Sequence, residues 1–286
     1  MKSIYKSENG KKKILDYYNE YVTNLNVEVE HEYVSTRFGM THVLITGPKE
    51  GEPLFLFQGG NCINPMTLSW FTPLLSKYRV YAPDTIGHPG YSDETRISAS
   101  DESFADWIHE LMSYFQVEKC RFVGPSYGAG IVLRLAAFRP DKITKAVLVS
   151  PAGVRMGSKL TMIQKVLIPL IAYKVTGKRK HLTRLTDEMS LKTMKELDRS
   201  IIGEIFNSTT LEQDMPKLTE KKELVHYHAP TLVIAGDKDL FFPARKIEKG
   251  IHEILPQATF IPYNMGHFPS QSHLNVINEE ILSFLE

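Results

Sequence analysis

Arg121-Phe122-Val123-Gly124-Pro125-Ser126-Tyr127-Gly128 is the stretch on which the fold is decided. A short apolar run enters it and the helix-like segment Ala129 to Phe138 leaves it, so G-x-S-x-G stands between a strand and a helix. A serine in that place is presented on a sharp turn, where a β-carbon at either flanking glycine would collide with neighbouring backbone. The five-residue pattern alone arises by chance in on the order of one such chain in ten, so its flanks carry the weight.

Outward from the turn, short and continuously apolar runs begin at Leu54, Val80, Arg121, Ala146, Thr231 and Thr259. Runs of this kind are predicted to be strands of a parallel sheet, buried on both faces. Most of their spacings fit a strand, a crossover helix and two loops. The interval from Ala146 to Thr231 does not, since it spans 85 residues. It predicts a helical insertion, a cap over residues 154–228, leaving residues 1–153 and 229–286 as one discontinuous α/β core. Ahead of these, Val27 to Glu30 and Thr41 to Thr46 predict an antiparallel pair, and Ile14, Leu15, Tyr18, Val22 and Leu25 predict an amphipathic first helix packed on the body.

The 286 residues carry 34 basic and 33 acidic side chains. That balance removes the electrostatic reason to expect a nucleic-acid partner. Two cysteines, Cys62 and Cys120, make neither a disulfide framework nor a four-cysteine zinc site. The start lacks the apolar stretch of a signal peptide, and the longest apolar run, Val166 to Tyr173, is too short to span a bilayer. The expectation is a cytoplasmic protein with no cofactor, no metal and no integral membrane segment; oligomeric state is not legible.

A serine hydroxyl becomes a nucleophile when a base lies within hydrogen-bond reach and a carboxylate orients that base. Later strand ends offer candidates. The run Thr231 to Ala235 leads into Gly236-Asp237-Lys238-Asp239, and Thr259 to Tyr263 leads into Asn264-Met265-Gly266-His267-Phe268-Pro269. Asp237 or Asp239 can serve as the acid. His267 is the base favoured by position, ahead of His273 near the start of the last helix and of His88 in a glycine-rich loop. His226 and His228 are two apart, as metal ligands can be, but no third ligand is nearby.

With these residues assembled, the chain from about Val27 onward resembles the α/β-hydrolase superfamily, in its capped esterase and carbon–carbon hydrolase-like branch. The resemblance rests on Gln58-Gly59-Gly60-Asn61, on Asp84 to Ser92 (DTIGHPGYS), on the turn at Ser126, and on the acid and base turns. It implies Ser126 as nucleophile, His267 as base and Asp239, three residues after the turn glycine, as acid. It also implies an oxyanion hole built from the Tyr127 amide and from Gly60, with Asn61 next. Where the family usually has His-Gly this chain has Gln58-Gly59, and glutamine can both donate and accept. Relatives that cleave carbon–carbon bonds of ring-cleavage products commonly have Asn where this chain has Pro125. Dehalogenase and epoxide hydrolase relatives use Asp at the position of Ser126, and the aminopeptidase loop His-Gly-Gly-Pro-Gly is missing.

The cap region bears on substrate. Residues 154–228 hold 14 Lys or Arg against nine Asp or Glu, and eight of the basic residues, Arg155 to Arg184, precede the first acid. Such a segment is a solvated face, or it attracts an anionic substrate or a membrane surface. Met156, Met162, Met189, Met194 and Met215, with Leu160, Ile163, Val166, Leu167, Leu170 and Ile171, suggest an adaptable apolar lining. Gln58, Cys62, Met156 and Met162 are expected at the substrate pocket. The expected function is a serine hydrolase cleaving esters of small or medium apolar acids through an acyl-enzyme, with a carbon–carbon hydrolase or a non-catalytic ligand receptor as alternatives.

Overall fold

The computed structural model describes residues 3–286. Its centre is an eight-stranded sheet in the order β1-β2-β4-β3-β5-β6-β7-β8. β1 (Val29–Thr36) and β2 (Gly39–Thr46) are antiparallel to each other, and β2 is antiparallel to β4 (Arg79–Pro83). β3 (Pro53–Leu56), β4, β5 (Cys120–Pro125), β6 (Ile143–Val149), β7 (Thr231–Gly236) and β8 (Thr259–Tyr263) run parallel. All six apolar runs are therefore strands. β7 is buried along its length, as its unbroken apolar run predicts, but β8 is not. It is the edge of the sheet, with strand on one side only, and Thr259 and Pro262 are exposed.

Alternation of side chains sorts the strand residues onto two faces. Phe55, Phe122 and Val233 join Trp107 and Leu111 of α2 (Ser103–Tyr114), Ile131 and Leu135 of α3 (Tyr127–Phe138), and Ile247 of α7 (Ala244–Ile254). Leu54, Val123 and Leu232 face the other way, onto Ile14 and Tyr18 of α1 (Glu8–Asn24) and Ile277 and Ile281 of α8 (Gln271–Leu285). Each face is covered by helices, which is why the central strands read as continuous apolar runs rather than alternating ones.

The long interval between β6 and β7 is helical. It holds short helical turns at Lys159–Met162 and Ile163–Leu167, the latter a π turn, then α4 (Ile168–Thr176), α5 (Arg179–Ser190) and α6 (Glu196–Ser208). The N-terminal helix packs on this segment as well as on the sheet. Ser7 caps α1 by accepting from the Gly10 amide, Ile201 and Ile205 of α6 share its apolar cluster, and Tyr21 donates to Asp198.

The return of this segment to the core is anchored beneath the Ser126 turn. Arg134, on the helix that leaves the turn, is fully buried; its guanidinium donates to Glu223 Oε1 at 3.0 Å and to Thr219 Oγ1 at 2.8 Å. Glu223 Oε2 also accepts from the Glu220 amide. Burial alone would raise the Glu223 carboxyl, but its bonds to Arg134, the Glu220 amide and Lys217 outweigh that and hold it down at about 2, against an ordinary 4.5. A depressed carboxylate contributes stability that is complete above its unfolded pKa and lost as pH falls through its folded one. Glu223→Ala, which strands the buried guanidinium, is expected to cost about 3 to 5 kcal/mol at neutral pH in urea melts. The gap to wild type should narrow as pH drops from 4.5 towards about 2; a gap independent of pH would refute the assignment.

Candidate active site

β5 ends at Pro125 and α3 begins at Tyr127, so Ser126 alone makes the turn, with φ 52° and ψ −115°. A non-glycine residue in this region costs about 1–3 kcal/mol unless its surroundings impose it. Here they do. Ser126 N donates to Val149 O at 2.8 Å, and Ser126 O accepts from Ala152 N at 3.0 Å and Gly130 N at 3.2 Å. A β-carbon on Gly124 would lie 2.5 Å from the Gly128 carbonyl carbon, and one on Gly128 would lie 2.8 Å from Gln58 O. Both positions exclude any side chain. The first amides of α3 have no partner within the helix and point outward beside the serine, as at any helix start.

His267 follows the edge strand β8, and its Nδ1 lies 2.8 Å from Asp239 Oδ2. Donation from Nδ1 to the carboxylate leaves Nε2 with the ring's lone pair. Asp239 is buried, and its other oxygen accepts from the amides of Phe241 at 2.8 Å and Phe242 at 3.0 Å. Burial works to raise the Asp239 carboxyl, yet the charge and hydrogen bond of His267 and the two amides overcome it, and its pKa is lowered. Asp237, the other candidate acid, is exposed. Phe241 and Phe268 close on the imidazole, with ring centroids 4.8 and 5.6 Å from its own.

The loop after β3 packs on the turn. A β-carbon on Gly60 would touch Tyr127 Cβ at 3.0 Å, so the backbone at residue 60 lies directly against the residue after the serine. Gln58 is buried and bonds in both directions, Nε2 to Cys62 O at 2.8 Å and Oε1 from Thr85 N at 3.1 Å. It therefore supports the loop and does not line the cavity. Asn61 has φ 50°, and its side chain is occupied elsewhere: Oδ1 accepts from Glu212 N at 2.7 Å and Nδ2 donates to Glu212 O at 3.1 Å.

Ser126, Tyr127, His267, Gly60, Asn61 and Cys62 share the wall of one cavity of about 220 Å³. Its remaining lining is apolar, drawn from the core (Phe241, Phe242, Phe268) and from the inserted segment (Val166, Leu170, Met189, Ile202, Phe206, Leu211, Met215). A smaller cavity of about 30 Å³, with Thr67, Trp70 and Ser150 in its wall, also reaches Ser126 and His267. Of the expected methionines, Met189 and Met215 line the larger cavity, but Met156 and Met162 do not. Met156 is exposed, on the coil that opens the inserted segment, and Met162 is half-buried in the first helical turn. Leu160, Ile163, Leu167 and Ile171 also point away, because only one face of their helical stretch meets the core. Sequence reasoning missed Phe241, Phe242 and Phe268, which directly follow the acid and base turns and were legible as their immediate neighbours.

The other candidate histidines do not line the cavity. His88 is buried with its ring on that of Tyr127, at 4.8 Å between centroids, and burial pulls its pKa down to about 4. His273 Nδ1 pairs with Ser270 Oγ at 2.7 Å at the start of α8, and His226 and His228 are exposed.

Over residues 52–273 the chain matches the α/β hydrolase fold family. It belongs to that family. Among curated relatives of this α/β hydrolase, the carboxylesterase YbfK of Bacillus subtilis is 26% identical, over 95% of this chain and 94% of its own. The solved naproxen esterase of Bacillus subtilis superposes with a TM-score of 0.81 at 19% identity, covering 98% of this chain and 99% of that one. The 2-hydroxy-6-oxo-6-phenylhexa-2,4-dienoate hydrolase of Rhodococcus sp. strain RHA1 superposes with a TM-score of 0.70, also at 19% identity, covering 91% and 99%. The family and the carboxylesterase-named relatives support a hydrolase.

Cys62 is the cavity's one sulfhydryl among the described residues. Burial pushes its thiol up to about 12, against the smaller opposing pull of hydrogen bonds from Thr67 and the Ile63 backbone, and burial likewise raises Cys120. Both are therefore expected to resist Ellman's reagent in native buffer at mildly alkaline pH and to react fully in guanidinium chloride. Rapid labelling of a native thiol would contradict this.

Proposed function

We propose that the protein is a serine carboxylesterase acting on neutral esters of small or medium apolar acids. The observation that carries this reading is the placement of Ser126 and His267 together on the wall of an apolar cavity, with His267 bonded to the buried Asp239. Ser126 Oγ attacks the ester carbonyl while His267 Nε2 takes its proton. The oxyanion then accepts from the amides of Tyr127 and Gly60, each donor being worth about 3 kcal/mol of barrier. Collapse breaks the bond to the alkoxy oxygen, which leaves with the proton from His267. Water adds to the acyl-enzyme, giving its proton to His267, and Ser126 is restored as the acid departs. Asp239 holds the imidazole and stabilises its cation.

Two cavities of unequal size meet at Ser126, so the two halves of the ester have unequal room. Among the described residues lining the larger one, none is Lys, Arg, Asp or Glu. That weighs against a carbon–carbon hydrolase of dienoates, because a substrate carboxylate would be buried there unpaired.

p-Nitrophenyl esters of increasing acyl length are the direct test. Rates should rise with the length of the apolar acyl chain until the cavity is filled. Ser126→Ala is expected to lose turnover and labelling by a serine-directed phosphonate while keeping its melting temperature. Asp239→Asn should lower kcat by about 10⁴, through the wrong imidazole tautomer. No turnover on any ester would replace the enzyme reading with that of a ligand receptor, and full activity in Ser126→Ala would end the assignment of that residue.

A further inference from the structure

The helical stretch from Lys159 to Thr176 has two apolar faces. Inward, Val166 and Leu170 line the cavity, and Pro169 and Tyr173 are buried. Outward, Leu160, Ile163, Leu167, Ile171 and Val175 recur at i, i+3, i+7, i+11 and i+15, the spacing of one helix face. All five are exposed, Leu160 by 63% and Val175 by 79%, with Ile168 beside them at 53%. A single exposed leucine needs no explanation, but a contiguous row across about four turns does.

The surrounding charge indicates what covers it. No acidic residue occurs between Arg155 and Arg184. Lys165 pairs with Glu188 and Arg179 with Glu196, while Lys159, Lys174, Lys178 and Lys180 are exposed and join no ion pair among the described residues. Two copies of this chain meeting through the same face would bring these cations together. An apolar row edged by cations instead matches a surface that is anionic outside and apolar beneath, with lysine stems lying along the apolar part and ammonium groups at the charged layer.

We propose that this face docks the protein on anionic phospholipid membranes, with the apolar row in the headgroup–acyl boundary and Lys159, Lys174 and Lys178 against lipid phosphates. Docking is peripheral: no helix among the described residues is long and apolar enough to cross a membrane. Because Val166 and Leu170 project from the same stretch, the membrane lies one helix thickness, about 10 Å, from the cavity wall. The binding is independent of the catalytic reading.

Flotation with phosphatidylglycerol–phosphatidylcholine vesicles tests it. Wild type and Ser126→Ala should bind equally at low ionic strength, which separates failure of docking from failure of the hydrolase assignment. Binding should weaken on pure phosphatidylcholine and with added salt. Leu167→Glu with Ile171→Glu should bind at least about tenfold more weakly, with unchanged hydrolysis of a soluble short-chain ester showing that the fold is intact. Lys174→Glu with Lys178→Glu, a second pair at exposed positions, should also lose binding to anionic vesicles. The proposal is overturned if wild type does not float with anionic vesicles, or if both double variants bind as wild type does. It is equally overturned if wild type is a dimer by sedimentation that Leu167→Glu with Ile171→Glu converts to monomer, since a second copy would then be the occupant.

Discussion

The chain has to reverse from strand to helix within one residue at Ser126, and the rest of the structure is arranged to hold that turn. A left-handed backbone at a serine is strained, so neighbours must determine it. Gly124 and Gly128 admit the close approach of strand and helix, and the backbone bonds of Ser126 to Val149 and Ala152 tie the turn to β6. The helix leaving the turn carries Arg134, whose buried guanidinium gathers Thr219 and Glu223 as the inserted segment comes back to the core. The turn and the anchor of the insertion are thus successive parts of one helix.

The insertion also meets the loops that bear Asn61, Asp239 and His267. Gly157 donates to the Phe241 carbonyl, just past Asp239; Phe268 N donates to Met189 O, just past His267; and Asn61 brackets the backbone of Glu212. The cavity is closed by a segment bonded to the same loops that supply its polar groups. Displacing that segment would disturb the Asp239 and His267 loops together, which couples the apolar lining to the polar wall.

The charge distribution follows the same division. The near-neutral whole is the sum of an insertion with five more basic than acidic residues and a remainder that is acidic by four. Within the insertion the excess is concentrated in its first third, around a helical stretch that gives one apolar face to the cavity and the other to solvent.

Much of this architecture was legible in the residues themselves. Strands buried on both sides announce themselves as unbroken apolar runs, and a serine between two glycines at the end of one such run, followed by a helix, allows few backbone conformations. Spacing along the chain also pointed to helices between β6 and β7, because no ordinary crossover needs 85 residues. What the sequence could not supply was orientation. Asp237 and Asp239 are chemically alike, and only the packing of β7 leaves one in solvent and buries the other against two amides and an imidazole. Met156 and Met162 are as apolar as Met189 and Met215, yet the cavity takes the second pair, since lining depends on the rotation of helices packed against distant chain. Composition and local period determined which elements form and where their chemistry sits along the chain; contacts between residues far apart in sequence decided which side chains face one another, because burial and hydrogen bonding exist only once those elements have packed.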